Sequence, residues 1–210
     1  MPKLKGTLKK SMKFKIRIRA ATESDVPAIQ ELITVSVNEL QASDYTGEQR
    51  TAALNSVFGV DSQLIEDGTY LVAEARPSDP AAPEAQDADE KSIAGMPRLA
   101  GCGGWSKRKT LFGGDQWTAR QDDLLDPAHD AAKIRAFFVH PLWARRGLGT
   151  KILEACEAGA REAGFKKYEM GATLTGVKLF EARGYIPMRK IEISIGEGLT
   201  LPIVHMEKRT

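Results

Sequence analysis

The chain reads as an α+β (α/β) fold, one central mixed, mostly antiparallel sheet flanked by helices. Three observations predict it. Short segments with apolar residues at every second position, the mark of half-buried strands, recur along the whole length. Segments with apolar residues at helical spacing lie between some of them but not others, in the order β-αα-β-β-β-α-β-α-β-β. That order mixes meanders with crossover units, so it differs from the regular βαβ alternation of a dinucleotide-binding domain.

The elements follow in order. Phe14 to Ala20, FKIRIRA, alternates apolar and basic residues and predicts a strand. Thr22 to Asp25 supplies N-cap candidates for a helix with Val26, Ile29, Leu32, Ile33, Val37 and Leu40 on one face. The polar stretch QASDYTGEQ precedes a second, short helix near Gln49 to Phe58, and Thr69 to Ala75 predicts a strand. Arg98 to Trp105 predicts its hairpin partner. The turn between the two is lengthened by an insertion at about 77–97, rich in Pro, Ala and acidic residues. Such a segment reads as exposed and mobile, and its length costs little closure entropy. A mixed-charge loop with a turn at Gly113-Gly114-Asp115 leads to a strand at Lys133 to Val139, then to a helix from about Leu148 to Ala163. Gly164 is placed as its terminator. A strand at Phe165 to Ala172, a short helix at Thr175 to Ala182, and strands at Tyr185 to Ile195 and Leu201 to Glu207 complete the chain.

With 210 residues and 42% hydrophobic content, this is expected to be a single domain over 14–208 preceded by a basic tail at 1–13. The tail has no apolar segment after its lysines, so it is not a secretory signal. No apolar run reaches the roughly 20 residues needed to cross a bilayer. The formal net charge of +2 gives no reason to expect nucleic acid, and the basic tail carries no interleaved aromatics. Cys102 and Cys156 lie far apart without CxxC spacing, which suggests buried thiols in a reducing cytoplasm; no metal is expected.

The most informative segment is Ile134 to Thr150, IRAFFVHPLWARRGLGT. An apolar strand ends at His140-Pro141. Two arginines then precede Gly147-Leu148-Gly149-Thr150 at the start of a helix. Free N–H groups at the positive end of a helix, with guanidinium groups beside them, suit a pyrophosphate or another polyanion. The P-loop string GxxxxGK[ST] is absent, and the third glycine of GxGxxG is missing because Thr150, Lys151 and Ile152 follow Gly149.

The stretch FFVHPLWARRGLGTKILEACEAGAREAGF followed by ATLTGVKLFEARGYIPM resembles the GCN5-related N-acetyltransferase (GNAT) family. Val139-His140-Pro141 matches that family's V-x-P step, Ala144 to Gly149 its [QR]xxGx[GA] turn, and LFEARGY its later Gly-aromatic element. FKIRIRAATESDVPAIQELI looks like its first strand and helix, so the resemblance covers roughly residues 14–208.

The resemblance implies a GNAT-type acyl-CoA N-acyltransferase fold. Acetyl-CoA is then the co-substrate, and the acetyl group passes by direct attack to a primary amine of a small molecule or peptide. A homodimer is compatible with such folds. The backbone of Phe137, Phe138 and Val139 would pair with the pantetheine, and Arg145, Arg146, Gly147, Leu148, Gly149 and Thr150 would hold the pyrophosphate. Thr175 falls where many members carry a pantetheine-binding Asn. Two departures stand out. Ala144 replaces the motif's Gln or Arg. Phe180 stands where many members place a Tyr that protonates the leaving thiolate. A catalytically weak acyl-CoA-binding module or sensor is therefore the alternative. The general base is unassigned, with Tyr45, Asp44, His140 and Glu169 as candidates.

Overall fold

The computed structural model describes residues 14–77 and 99–209. The basic tail and the acidic insertion singled out in the sequence lie outside these residues, apart from the single insertion residue Pro77 and, past the insertion, Leu99. The strands are β1 (Phe14–Ala20), β2 (Tyr70–Pro77), β3 (Gly101–Ser106), β4 (Ala132–Val139), β5 (Lys167–Thr173), β6 (Ile186–Ser194) and β7 (Thr200–Arg209). The helices are α1 (Val26–Leu40), α2 (Gly47–Ser56), α3 (Ser62–Glu66), α4 (Leu148–Glu162) and α5 (Val177–Glu181). One seven-stranded sheet runs in the order β1-β2-β3-β4-β5-β7-β6. Every neighbouring pair is antiparallel except β4 and β5, which α4 joins as a parallel crossover.

Two cores, one on each face, follow from the strand alternation. On one face α1 sends Ile29, Leu32, Ile33 and Val37 against Tyr70, Val72 and Phe138. On the other, α4 buries Leu148, Ile152, Leu153, Cys156 and Ala160 against Ile134, Tyr168 and Met170. β3 is rich in glycine because α4 lies so close to it. A Cβ on Gly103 would sit 2.8 Å from Ile152 Cγ2 and 2.7 Å from the Phe137 ring. Phe137 and Phe138 divide between the faces: Phe137 meets Phe180 edge-on at 5.6 Å, and Phe138 meets Phe58 at 5.8 Å.

Some boundaries differ from the sequence expectation. The second helix starts at Gly47 because Thr46 and Gln49 form a reciprocal capping box. The helix α3, absent from the expectation, is five residues capped by Asp61, whose carboxylate accepts from the Leu64 amide at 3.3 Å. Five residues are too few to display a helical period.

Candidate functional site

The site begins where the sheet opens. β4 and β5 pair only at Ala132–Tyr168 and Lys133–Glu169. Beyond that point β4 bulges. Cys102 faces Phe138 and Gly104 faces Arg135, so β4 uses one residue more than β3 over the same stretch. The bulge carries Ala136 at φ 54°, a left-handed conformation that costs a non-glycine residue roughly 1–3 kcal/mol. Arg145, at φ 62°, is the other strained residue of this region. Both line one cavity of about 660 Å³.

At one end of the cavity lies the start of α4. Gly147 is its N-cap in the left-handed region, φ 77°. The first intrahelical bond is from the Lys151 amide to Gly147 O at 3.2 Å. The amides of Leu148, Gly149 and Thr150 precede it and have no partner within the helix. Gly149 allows close approach: a Cβ there would lie 2.9 Å from Leu179 of α5. Arg145, Gly147, Gly149 and Thr150 line the cavity, as do Phe137, Phe138 and Val139 on β4. The Leu148 side chain is in the core, leaving its amide for the site. Arg146 turns away, with its guanidinium 5.7 Å from the Trp143 ring centroid.

Thr175 also lines the cavity, and its hydroxyl donates to Asp44 at 2.6 Å. That bond ties the α1–α2 connection to the β5–α5 connection. Asp44 is the one acidic side chain among the described residues lining the cavity.

The other base candidates are not brought there. The Tyr45 hydroxyl is used twice, accepting from the Leu174 amide at 2.8 Å and donating to Pro202 O at 2.8 Å. Burial pushes its pKa up to about 12, so it stays protonated at neutral pH. His140 caps the turn after β4, its Nδ1 accepting from the Leu142 amide at 3.2 Å, and burial lowers its pKa. Glu169 sits at the closed, paired end of β4 and β5, ion-paired to Lys133 at 2.6 Å. There it lines a separate cavity of about 210 Å³. Glu169, His205 and Glu207 bring ligand-type atoms within 4.8 Å of one another, but the Lys133 ammonium already occupies Glu169.

Phe180 lines the cavity with its ring wedged between Phe137 and Tyr185. None of the four tyrosines lines it, so no phenol stands in for the missing hydroxyl. Several lining residues carried no signal of a site in the sequence. Gln41 ends α1, Phe112 to Gly114 come from the loop after β3, and Arg135 sits beside the bulge. The loop is held by tertiary bonds that its own sequence does not announce, such as Gln116 Nε2 to Phe58 O at 2.7 Å.

A mixed sheet splayed between two parallel strands, with a helix N-terminus at the opening, defines the class as the GNAT acyltransferase fold. Residues 126–210 match the family model described as an acetyltransferase (GNAT) domain. The structure is similar to the GCN5-related N-acetyltransferase (Aminotransferase, Class-II) from Rhodopseudomonas palustris, with TM-score 0.61, 20% identity, and coverage of 96% of this chain and 99% of that one. It is also similar to the PaiA N-acetyltransferase from Thermoplasma acidophilum, solved with coenzyme A (TM-score 0.57, 13% identity, 93% and 99% covered). A third is yncA, a putative acetyltransferase from Salmonella typhimurium solved with acetyl-CoA (TM-score 0.53, 17% identity, 93% and 94% covered). No curated relative matches the sequence. The family model matches the C-terminal part of the chain, and the likeness to these solved structures shows that the chain has the GNAT fold.

Proposed function

We propose that this chain is an acetyl-CoA-dependent N-acetyltransferase that moves an acetyl group to a primary amine of a small molecule or peptide by direct attack in a ternary complex. One observation carries the reading. A single cavity runs from the unpaired amides at the start of α4, along the bulged edge of β4, to the end of α1. Both substrates would then share one space, and orientation would supply much of the rate.

The donor set fits a CoA thioester. The Leu148, Gly149 and Thr150 amides and the Arg145 guanidinium offer donors and positive potential to a pyrophosphate. The edge of β4 freed by the splay offers its backbone at Phe137, Phe138 and Val139 to an extended pantetheine. Thr175 lies further along the same cavity. When bound, acetyl-CoA supplies an acetyl group already activated as a thioester. A β4 amide near the bulge would polarise the thioester carbonyl. Of the candidates Asp44, Tyr45, His140 and Glu169, Asp44 is read as the side chain that receives the incoming ammonium, whose proton passes to water before the neutral amine attacks the thioester carbonyl. Phe180 has no proton to give. The thiolate therefore leaves to solvent, which its ordinary pKa near 8.5 permits.

Two measurements test this. Calorimetry should find micromolar acetyl-CoA affinity in the native chain, lost in Gly147→Val and Gly149→Val proteins that keep their circular dichroism. Thiol release should be detected with at least one primary amine of a broad panel. Acetyl-CoA binding without release from any amine would favour the binding-module alternative, and absence of affinity would refute both.

A further inference from the structure

The cavity half beyond the bulge is apolar. Leu40 and Phe58 line it from the helical face, Phe112 from the loop after β3, and Ile193 and Ile203 from β6 and β7. Against this surface stand, besides the Ser36 and Ser43 hydroxyls, two further polar groups at and just past the end of α1. One is Asp44. The other is Gln41, only 5% exposed, whose Oε1 is buried without a hydrogen-bond donor. Leaving a buried acceptor unpaired is costly, so it is retained where a ligand satisfies it. The carbonyl end of α1, which carries partial negative charge, adds to Asp44.

Cations are placed elsewhere. Arg145 belongs to the turn before α4, and Lys178 to α5, whose Leu179 abuts Gly149. Arg135 also lines the cavity; its side chain is 2% exposed, its charge is paired with Asp61 (Nη2 2.7 Å from Oδ2), and its Nε is buried without a hydrogen-bond partner. An acceptor carboxylate near the reacting nitrogen would face Asp44 and the α1 terminus, and among the described lining residues the buried guanidinium of Arg135 is already committed to the Asp61 carboxylate.

We propose that the acceptor is a primary amine on an apolar or aromatic body, with no carboxylate near the nitrogen, and that Gln41 Oε1 accepts a hydrogen bond from it. The proposal rests on the acetyltransferase reading above and names its substrate class. An isolated aliphatic polyamine fits poorly, because its second ammonium would lie against Phe58, Phe112 and the isoleucines.

The test uses matched pairs on the full chain: phenethylamine against phenylalanine, tyramine against tyrosine, and spermidine. Acceptor binding is read by calorimetry with CoA present, and turnover by thiol release. The carboxylate-free member should win by at least about tenfold in affinity and in kcat/KM, the size expected when a charge is left unpaired. Gln41→Leu should raise the acceptor KM by about tenfold while leaving acetyl-CoA affinity unchanged and thermal stability equal or higher, since an unpaired buried acceptor is removed. A merely structural glutamine would lower stability and leave the acceptor KM alone. Equal or better use of phenylalanine would overturn the proposal and give Arg135 the role of carboxylate receptor. A preference for spermidine, or no binding of any aromatic amine to the CoA complex, would also overturn it. Those outcomes leave the acetyl-CoA site standing. Failure of the acetyltransferase reading would show instead as absence of acetyl-CoA affinity.

Discussion

Replacing Tyr45 by Phe separates a structural hydroxyl from a catalytic one. Tyr45 is 3% exposed and bridges two segments far apart in sequence, the Leu174 amide after β5 and Pro202 O on β7, each at 2.8 Å. These segments form the floor of the cavity beyond the splay. Each neutral hydrogen bond contributes about 1 kcal/mol net, and the Leu174 donor would be left without its partner. The expected loss is therefore about 2 kcal/mol. For a chain of this size, that lowers Tm by about 4–8 °C. Thermal melts measure this directly. Thiol release at 25 °C, well below the transition, should stay within about threefold of the native rate, because the hydroxyl does not line the cavity. A general acid or base would be worth roughly a hundredfold or more. An unchanged Tm combined with a hundredfold loss of rate would refute the structural assignment and return Tyr45 to the chemistry.

The remaining expectations concern three other sites. Phe180→Tyr puts a hydroxyl on a ring that already lines the cavity, and kcat should rise by at most about tenfold, below the full range for general acid catalysis; a large fall would show that the aromatic edge against Phe137 is required. Arg19 holds the Asp25 carboxyl far below its usual range through paired bonds of 2.7 and 2.9 Å, with Thr22 adding two more. Because the folded value is depressed, this stabilisation is complete above the unfolded pKa of about 3.9 and is lost as pH falls below it. Urea midpoints should therefore drop steeply below about pH 4. Asp25→Asn should cost about 3 kcal/mol and flatten that dependence, the lower end for a broken buried pair because Glu74 still faces Arg19. Burial pushes the Cys102 thiol up to about 12 and raises Cys156 as well, so neither should react with a disulfide reagent in the native chain at pH 8, and both should react once it is unfolded.

How far the sequence disclosed the site depends on the range over which each feature is encoded. The α4 entrance is local. Gly147 needs a left-handed φ, Gly149 needs clearance from Leu179, and both needs leave a glycine in a six-residue string. The strands at either end of that string are equally local, because alternation is a property of neighbours. The opening between β4 and β5 is not. It depends on an extra residue in β4 at Ala136, which looks like any other position in KIRAFFV, and on pairing that stops after Lys133–Glu169. Glu169 illustrates the consequence. From sequence it stands on the strand after the cofactor helix, a plausible base; in space it lies on the paired side of the divergence, bound to Lys133.

The acceptor end shows the same principle more strongly. Its walls come from α1, the α1–α2 connection, the loop after β3, and β5, β6 and β7, so no window of sequence contains it. Asp44 and Thr175 are 131 residues apart, yet their 2.6 Å bond joins the loops on either side of the cavity. Each has an ordinary local reading, a loop carboxylate and a turn hydroxyl. Phe180 is the converse case, a single local residue whose meaning depends on what else reaches the cavity. With all four tyrosines directed elsewhere, the proposed reaction would leave thiolate departure to solvent, and the protein's own contribution would concentrate on binding and orientation. On that proposal the walls of the cavity beyond the splay, more than any acid or base, would decide this chain's rate and selectivity.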